Sequence, residues 1–245
     1  MKIADYETIE YAIPVAGKTV KLLGPASPYA LLDTEAVQRR FQADEYMPYW
    51  ATPWVSAVML TEYVVQESIP RQGSVLEIGA GLGLCGIALA MHGFRVTISD
   101  YDADALAFVR ANAALNHVSL DDARELDWRQ PREEQFDLIV GADVLYEKRN
   151  RQPVLDLIVK CLTANGRAIL SDPNRGAVDG VDAFFRMGGM SIETLEVSSR
   201  AIPRPGSVDG RTLRGRIFSI MRPGECVDHI AITPDRSARN RVEMS

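Results

Sequence analysis

The chain has 245 residues, of which 47% are hydrophobic and 24% charged, enough for one large α/β domain or two small ones with a substantial core. Its net charge of −6 at pH 7 argues against a protein held on nucleic acid by a general positive field. No apolar run approaches the roughly 20 residues that span a bilayer, and three cysteines without Cys-x-x-Cys spacing predict neither a disulfide scaffold nor a metal site.

The first 70 residues are predicted to form an extension in front of the main body of the fold. They begin Met-Lys-Ile-Ala-Asp-Tyr-Glu, with acidic residues where a secretory signal would carry its apolar stretch, and this predicts a cytoplasmic protein. Residues 10–15 and 19–23 are expected to pair as a hairpin across Ala16-Gly17-Lys18.

A helix is predicted to end this extension. Thr52 would be its N-cap and Pro53 its first helical residue, because proline lacks only an N–H that has no helical partner at that position. The spacing of the following residues predicts one face that carries Trp54, Val58, Thr61 and Val65.

From about residue 74 the pattern becomes strand, glycine-rich turn, helix, strand, helix, which is typical of a parallel sheet with crossover helices. A helix is expected after Asp102, its N-cap, and another near residues 181–187. Two late strands, joined by a long connection, are expected to form an antiparallel hairpin at the sheet edge. The predicted strands are at residues 74–78, 95–99, 136–140, 167–171, 191–197 and 215–221.

The central motif is Val-Leu-Glu-Ile-Gly-Ala-Gly-Leu-Gly-Leu-Cys-Gly at residues 75–86. In such a motif a buried strand runs into glycines and then into a helix. Glycines let the backbone turn sharply and approach a ligand closely. The helix N-terminus and the carboxyl edge of the sheet then form a binding crevice.

Two nucleotide cofactors fit the spacing of these glycines. Gly81, Gly83 and Gly86 have the Gly-x-Gly-x-x-Gly spacing of a dinucleotide site. With Gly79 in place of Gly86, the spacing becomes the Gly-x-Gly-x-Gly of a methyltransferase. In both interpretations Asp100, after the second strand, would accept hydrogen bonds from ribose hydroxyls.

Three features favour the methyltransferase interpretation. The carboxylate of Glu77, at the mouth of the loop, would repel a pyrophosphate but attract an α-ammonium group. Asp127 can accept a hydrogen bond from an adenine amino group, and Trp128 can cover the ring face. The run at residues 136–146 ends a strand on polar residues at the crevice.

With these residues the chain resembles the seven-strand class I S-adenosylmethionine-dependent methyltransferases, and within them the family 16, methyltransferase-like protein lysine methyltransferases. The resemblance implies S-adenosyl-L-methionine as cofactor and a Rossmann-like, doubly wound, seven-stranded, mostly parallel sheet. We expect one domain over residues 1–245, with an extension (1–70), a catalytic core (71–222) and a tail (223–245). The residues that carry it are the loop at 77–83, Asp100, Leu-Asp-Trp at 126–128, Gly-Ala-Asp-Val-Leu-Tyr at 141–146, and Trp54.

Motif and resemblance together predict the residues of the site. Asp143 and Tyr146 would face the methyl-accepting group, and no metal site is expected. Asp-Val-Leu-Tyr at 143–146 differs from the Asn- or Asp-Pro-Pro-Tyr of glutamine and adenine N-methyltransferases, which counts against those acceptors. The residues expected to line the cofactor are Trp54, Glu77, Gly79, Ala80, Gly81, Gly83, Asp100, Tyr101, Asp127, Trp128 and Ala142.

The implied reaction is a direct displacement, in which an acceptor nitrogen attacks the sulfonium methyl in line, the sulfur–methyl bond breaks and S-adenosylhomocysteine leaves. A lysine acceptor must first lose a proton, at a cost of roughly 4–5 kcal/mol at pH 7. Since a nearby carboxylate favours the ammonium form, Asp143 is assigned to capturing and orienting the amine, and Tyr146 to desolvating it. We expect a monomer that acts on a protein lysine, without a nucleic-acid or membrane partner. A small-molecule N- or O-acceptor, or a non-catalytic cofactor-binding module, are the alternatives.

Overall fold

The computed structural model describes residues 2–174, 179–203, 205 and 210–224, and the predicted tail from residue 225 onward lies outside this range. Within it the chain forms ten β-strands and six α-helices. The strands are β1 (Lys2–Ile3), β2 (Tyr6–Val15), β3 (Lys18–Pro25), β4 (Ser74–Ile78), β5 (Arg95–Asp100), β6 (Asp122–Glu125), β7 (Phe136–Ala142), β8 (Leu162–Asp172), β9 (Ser191–Arg200) and β10 (Thr212–Met221). The helices are α1 (Glu35–Asp44), α2 (Val55–Gln66), α3 (Leu84–Met91), α4 (Ala103–Leu115), α5 (Arg151–Cys161) and α6 (Val181–Met187).

The large sheet has seven strands in the order β6-β5-β4-β7-β8-β10-β9. The five strands from β6 to β8 run parallel, and β10 runs antiparallel to both β8 and β9. This arrangement confirms the predicted doubly wound, mostly parallel sheet and its late antiparallel hairpin. The strand order reverses between β4 and β7, so a crevice opens at the carboxyl ends of these strands.

Helices cover both faces of this sheet. Alternation along β7 places Leu138 and Val140 in one hydrophobic core and Ile139 in the other. The first core contains side chains of α2, α3 and α4, and the second those of α5 and α6. Because the first core also contains Val20 and Leu22 of β3, the N-terminal extension shares a core with the main body.

The predicted N-terminal hairpin is formed by β2 and β3, to which β1 adds a third strand. Val15 pairs with Lys18, so the turn consists of Ala16 and Gly17 alone. Both turn residues have positive φ, 47° and 76°, as the two-residue turns that match strand twist require.

Two predictions of local structure were wrong or incomplete. Thr52 does not cap a helix: it ends a short 3₁₀ helix at Tyr49–Ala51, and α2 begins only at Val55. Thr52 and Trp54 both have extended backbone angles, and the indole N–H of Trp54 donates to the Tyr49 carbonyl at 2.9 Å. The single apolar face predicted for α2 is too narrow, because residues 56–61 are all buried.

The strand β6 was not among the predicted strands. Its sequence is Asp-Ala-Arg-Glu, with no large apolar residue to mark it. A polar strand is possible here because β6 lies at the edge of the sheet and pairs only with β5.

None of the helices in the described ranges combines the length and the hydrophobicity that a membrane span requires.

Candidate active site

A cavity of about 350 Å³ lies at the carboxyl ends of β4, β5 and β7. Ligands of open α/β sheets bind at this edge, and the volume is in the range of small-molecule sites. Twelve of the thirteen predicted site residues line the cavity: Trp54, Glu77, Gly79, Ala80, Gly81, Asp100, Tyr101, Asp127, Trp128, Ala142, Asp143 and Tyr146.

Gly83 is the predicted site residue that does not line the cavity. It is the N-cap of α3 and has a φ of +84°. A Cβ at this position would lie 3.1 Å from both Ile87 Cδ1 and Val109 Cγ2. The structure therefore explains this glycine by helix entry and packing.

The glycine loop, residues 79–83, runs tightly between two tryptophans. Gly79 has a φ of +61°, and a Cβ there would lie 3.1 Å from Trp128 Cζ3 and 3.0 Å from Val144 Cγ1. Gly81 has a φ of +56°, and a Cβ there would lie 3.3 Å from the Trp50 carbonyl oxygen. Only glycine combines these backbone angles with this close approach.

Asp100 joins the end of β5 to the glycine loop. Its Oδ2 accepts a hydrogen bond from Gly81 N–H at 2.7 Å, and its Oδ1 accepts one from Asp102 N–H at 2.9 Å. Burial raises the pKa of Asp100 to about 6 in spite of these bonds. Each carboxylate oxygen can accept more than one hydrogen bond, so Asp100 keeps the capacity to bind ribose hydroxyls.

Glu77, at the end of β4, also lines the cavity, and its carboxyl group is buried, since the residue is only 1% exposed. Its Oε2 accepts a hydrogen bond from Gly86 N–H at 3.0 Å. Burial raises the pKa of Glu77 to about 8, and the neighbouring Asp100 carboxylate adds to this shift. A cation in the cavity would offset both effects, which is the environment predicted for an α-ammonium group.

Asp127 and Trp128 follow β6 on the next side of the cavity. Both oxygens of Asp127 accept from Nε of Arg129, at 2.9 and 3.0 Å. Nη1 of Arg129 donates to Asp44 Oδ2 at 2.6 Å, and its guanidinium carbon lies 5.2 Å from the centre of the Tyr101 ring. Arg129 was not predicted as a site residue, because its partners lie on different elements.

Asp143 and Tyr146, the two residues expected to face a methyl acceptor, line the cavity together with the rings of Tyr49 and Trp54, and this part of it is called the acceptor side. Asp143 is 8% exposed and has a φ of +57°, and its N–H donates to the Ser171 carbonyl at 2.7 Å. The rings of Tyr49 and Tyr146 meet edge to face with centroids 5.2 Å apart, and Trp54 packs on Tyr49 at 6.3 Å. Burial raises the pKa of Tyr146 to about 12, so its phenol is neutral at pH 7.

The N-terminal extension is fastened at the rim of this cavity through Asp102, the confirmed N-cap of α4. Asp102 Oδ2 accepts from Arg40 Nη1 at 2.8 Å and from the Tyr46 hydroxyl. The Trp50 indole N–H donates to that hydroxyl at 3.1 Å. Sequence patterns could not predict this cluster, since the sequence around a capping Asp does not show which distant residues bond to it.

Within the described ranges, no group of three His, Cys, Asp or Glu side chains is placed to hold a metal ion.

Residues 48–187 match a protein-family model described as lysine methyltransferase. Protein N-lysine methyltransferase METTL21A of Xenopus tropicalis is 41% identical over 106 residues, which cover 39% of this chain and 47% of that protein. The electron transfer flavoprotein beta subunit lysine methyltransferase of Rattus norvegicus is 29% identical over 169 residues, or 68% of this chain and 64% of that protein. A histidine protein methyltransferase 1 homolog of Dictyostelium discoideum is 30% identical over 156 residues, or 58% and 50%. The alignments thus span about half to two thirds of the relatives' own length.

Solved structures share the fold at low sequence identity. A TehB-like SAM-dependent methyltransferase from Corynebacterium glutamicum superposes with a TM-score of 0.50 at 20% identity, over 80% of this chain and 99% of that one. A protein solved in work on the conversion of a disulfide bond into a thioacetal group during echinomycin biosynthesis gives a TM-score of 0.59 at 18% identity, over 77% and 92%. Both likenesses concern the architecture of the chain.

Proposed function

Because this chain belongs to the lysine methyltransferase family whose model matches residues 48–187, we propose that it transfers a methyl group from S-adenosylmethionine to the side-chain nitrogen of a protein lysine. One observation carries the proposal. Ten of the eleven residues expected to bind the cofactor, all but Gly83, line one cavity together with Asp143 and Tyr146, the two expected to face the acceptor. Family membership supports S-adenosylmethionine as the cofactor.

The lining of the cavity fits each part of this cofactor. Trp128 and Asp127 are suited to the adenine ring and its amino group, and Asp100 to the ribose hydroxyls. Glu77 is suited to the α-ammonium group, since its buried carboxyl group has a pKa of about 8 and gains from a nearby cation. When bound, the cofactor supplies an electrophilic methyl group on a sulfonium ion.

The residues on the acceptor side can prepare a lysine amine for this reaction. Asp143 attracts the ammonium form and fixes its position, because a carboxylate stabilises a nearby cation. The ring of Tyr49 contacts those of Tyr146 and Trp54, and an amine against these apolar rings would lose contact with water, which lowers its pKa. Attraction followed by desolvation therefore brings the amine to the cavity and favours loss of its proton. The chain's own contribution is chiefly to position the reactants.

The experiment that tests this function follows the labelled methyl group to its acceptor. Purified protein is incubated with methyl-labelled S-adenosylmethionine and a cell lysate that has been separated into protein and small-molecule fractions. We expect label in the protein fraction, released as methyllysine on complete hydrolysis, and much less with Asp143→Asn. Label in methylhistidine, or in small molecules only, would contradict a lysine acceptor. Cytoplasmic location, monomeric state and the lack of a nucleic-acid partner stay predictions.

A further inference from the structure

Two asparagines of α4 pair with the edge of β3 that faces away from β2. The side-chain oxygen of Asn112 accepts from Leu23 N–H at 2.7 Å, and its Nδ2 donates to the Leu23 carbonyl at 3.0 Å. Asn116 repeats the pattern on Lys21, accepting from its N–H at 2.9 Å and donating to its carbonyl at 2.6 Å. Each amide thus bonds one residue of β3 as a neighbouring strand would.

The spacing of these residues explains the match. Four residues of an α-helix rise about 6 Å, and two residues of a β-strand rise about 6.7 Å. Asn112 and Asn116, four residues apart on α4, can therefore reach Leu23 and Lys21, two residues apart on β3. Lys21 and Leu23 point their N–H and C=O groups to the same side of the strand, since alternate residues of a strand do so.

Asn112 makes one bond that Asn116 does not. Its Nδ2 also donates to the carbonyl of Leu82, in the glycine loop, at 3.0 Å. Asn112 is fully buried, and both N–H groups of its amide are used. On the opposite side the loop is bonded to the end of β5, by Ala80 N–H to the Ser99 carbonyl at 3.1 Å and by Gly81 N–H to Asp100. The glycine loop is therefore held from two sides, by β5 and by Asn112.

We propose that Asn112 is a positioning residue for cofactor binding, which sets the glycine loop by bonding it to β3 of the N-terminal extension. This inference rests on the proposed function, because it takes the loop to be the cofactor loop. Asn112 itself does not line the cavity, and neither does any residue of β3. It would therefore act on the cofactor through the glycine loop, to which it is bonded at the Leu82 carbonyl.

Calorimetric titration with S-adenosylhomocysteine tests the proposal without a methyl acceptor. Asn112→Ala and the control Asn116→Ala both remove two bonds to β3, but only the first removes the bond to the loop. We expect Asn112→Ala to raise Kd by about tenfold or more, and Asn116→Ala to leave Kd within about twofold, at a temperature where both are folded. Equal Kd values for the two variants would overturn the proposal.

A milder variant and a second readout cover the case in which Asn112→Ala does not fold. Asn112→Ser leaves a small polar group at the site and is tested in the same titration against Asn116→Ser. Hydrogen exchange of amides in residues 79–84 is expected to speed up in the Asn112 variant and not in the Asn116 variant. If the wild-type protein binds no S-adenosylhomocysteine, the proposed function fails. Exchange of the loop amides then decides alone whether Asn112 holds the loop, and unchanged exchange would refute it.

Discussion

The backbone N–H of Gly81 donates a 2.7 Å hydrogen bond to Oδ2 of Asp100, so the end of β5 and the glycine loop form one unit. The acid expected to bind the ribose therefore also fixes the loop that surrounds the rest of the cofactor. Burial at this junction raises the pKa of Asp100 to about 6. Loss of the Asp100 carboxylate should therefore have two effects: it should remove the expected contact with the ribose, and it should loosen the glycine loop.

Substitution of Gly79 by alanine should block the cofactor site. The new Cβ would lie 3.0 Å from Val144 and 3.1 Å from the Trp128 ring, at a φ of +61°. Gly17→Ala is the matched control, because Gly17 also has a positive φ, +76°, but no atom within 4 Å of the added Cβ. Both variants should lose about 1 kcal/mol of stability or more from backbone strain. Only Gly79→Ala should abolish S-adenosylhomocysteine binding in calorimetry; comparable loss in both would show that strain alone is responsible.

Asp143→Asn should slow methyl transfer while it preserves cofactor binding. Asparagine tolerates the positive φ of 57° at this position, so the fold should survive the change. Loss of the negative charge weakens capture of a cationic amine, and we expect kcat/KM for the protein acceptor to fall about 10- to 100-fold. The measurement is the initial rate of methyl transfer to an acceptor protein that the labelling experiment has identified. The Kd for S-adenosylhomocysteine is measured beside it. An unchanged rate would remove Asp143 from the acceptor site.

Tyr49 and Tyr146 should act on the acceptor as a pair. Their rings meet at an interplanar angle of 77°, a favourable edge-to-face geometry. Each alanine variant alone should lower kcat/KM for the acceptor, and the double variant should lower it by less than the product of the two. The expected coupling is about 0.5–1.5 kcal/mol. Tyr49→Phe keeps the ring and should retain the wild-type rate, whereas additive effects would show that the rings work independently.

Glu77 should make the stability of the cofactor-free protein depend on pH. Its pKa is raised from 4.5 to about 8 by burial, so between these values the unfolded chain binds fewer protons than the folded protein. The contribution of protonated Glu77 to the free energy of unfolding is therefore complete below about pH 4.5. It falls as pH rises towards 8, by up to about 1.4 kcal/mol per pH unit. Glu77→Gln cannot ionise and keeps an oxygen for the Gly86 N–H. Urea unfolding of both proteins between about pH 5 and pH 8.5 should show the wild type losing stability relative to the variant, and a constant difference would contradict the raised pKa.

The parallel core of the fold could be predicted because its strands are short apolar runs beside glycine turns. The glycine loop follows β4, and a polar segment follows β7, which ends at Ala142. The two strands that flank the crevice can therefore be recognised in the sequence. The strand β6 could not be found in the same way, because Asp-Ala-Arg-Glu has no apolar alternation and its place depends on pairing with β5. The predicted cap at Thr52 was wrong because the backbone is extended at Thr52 and again at Trp54, so that α2 begins only after Trp54.

Within the site, motif residues were predictable and their partners were not. Asp100 follows a predicted strand and Trp128 belongs to the Leu-Asp-Trp motif, and both line the cavity. Arg129, Tyr46 and Asn112 could not be found in this way, since their bonds to Asp44, Asp102 and Leu82 join residues that are 30 or more positions apart in sequence. Gly83 shows the opposite limit: it belongs to the glycine pattern, yet it serves helix entry and packing.

The binding of S-adenosylmethionine in the cavity is the claim on which the rest depends, and calorimetric titration with S-adenosylhomocysteine and NAD tests it most directly. Asp100→Ala is compared with Asp121→Ala, which removes a surface carboxylate that pairs with Arg95 at 3.0 Å. The wild type and Asp121→Ala should bind S-adenosylhomocysteine with micromolar Kd and should not bind NAD. Asp100→Ala should bind about 100-fold more weakly or not at all, since it loses ribose contacts and the Gly81 bond. Binding of NAD alone, of neither ligand, or equal binding by Asp100→Ala would contradict the account.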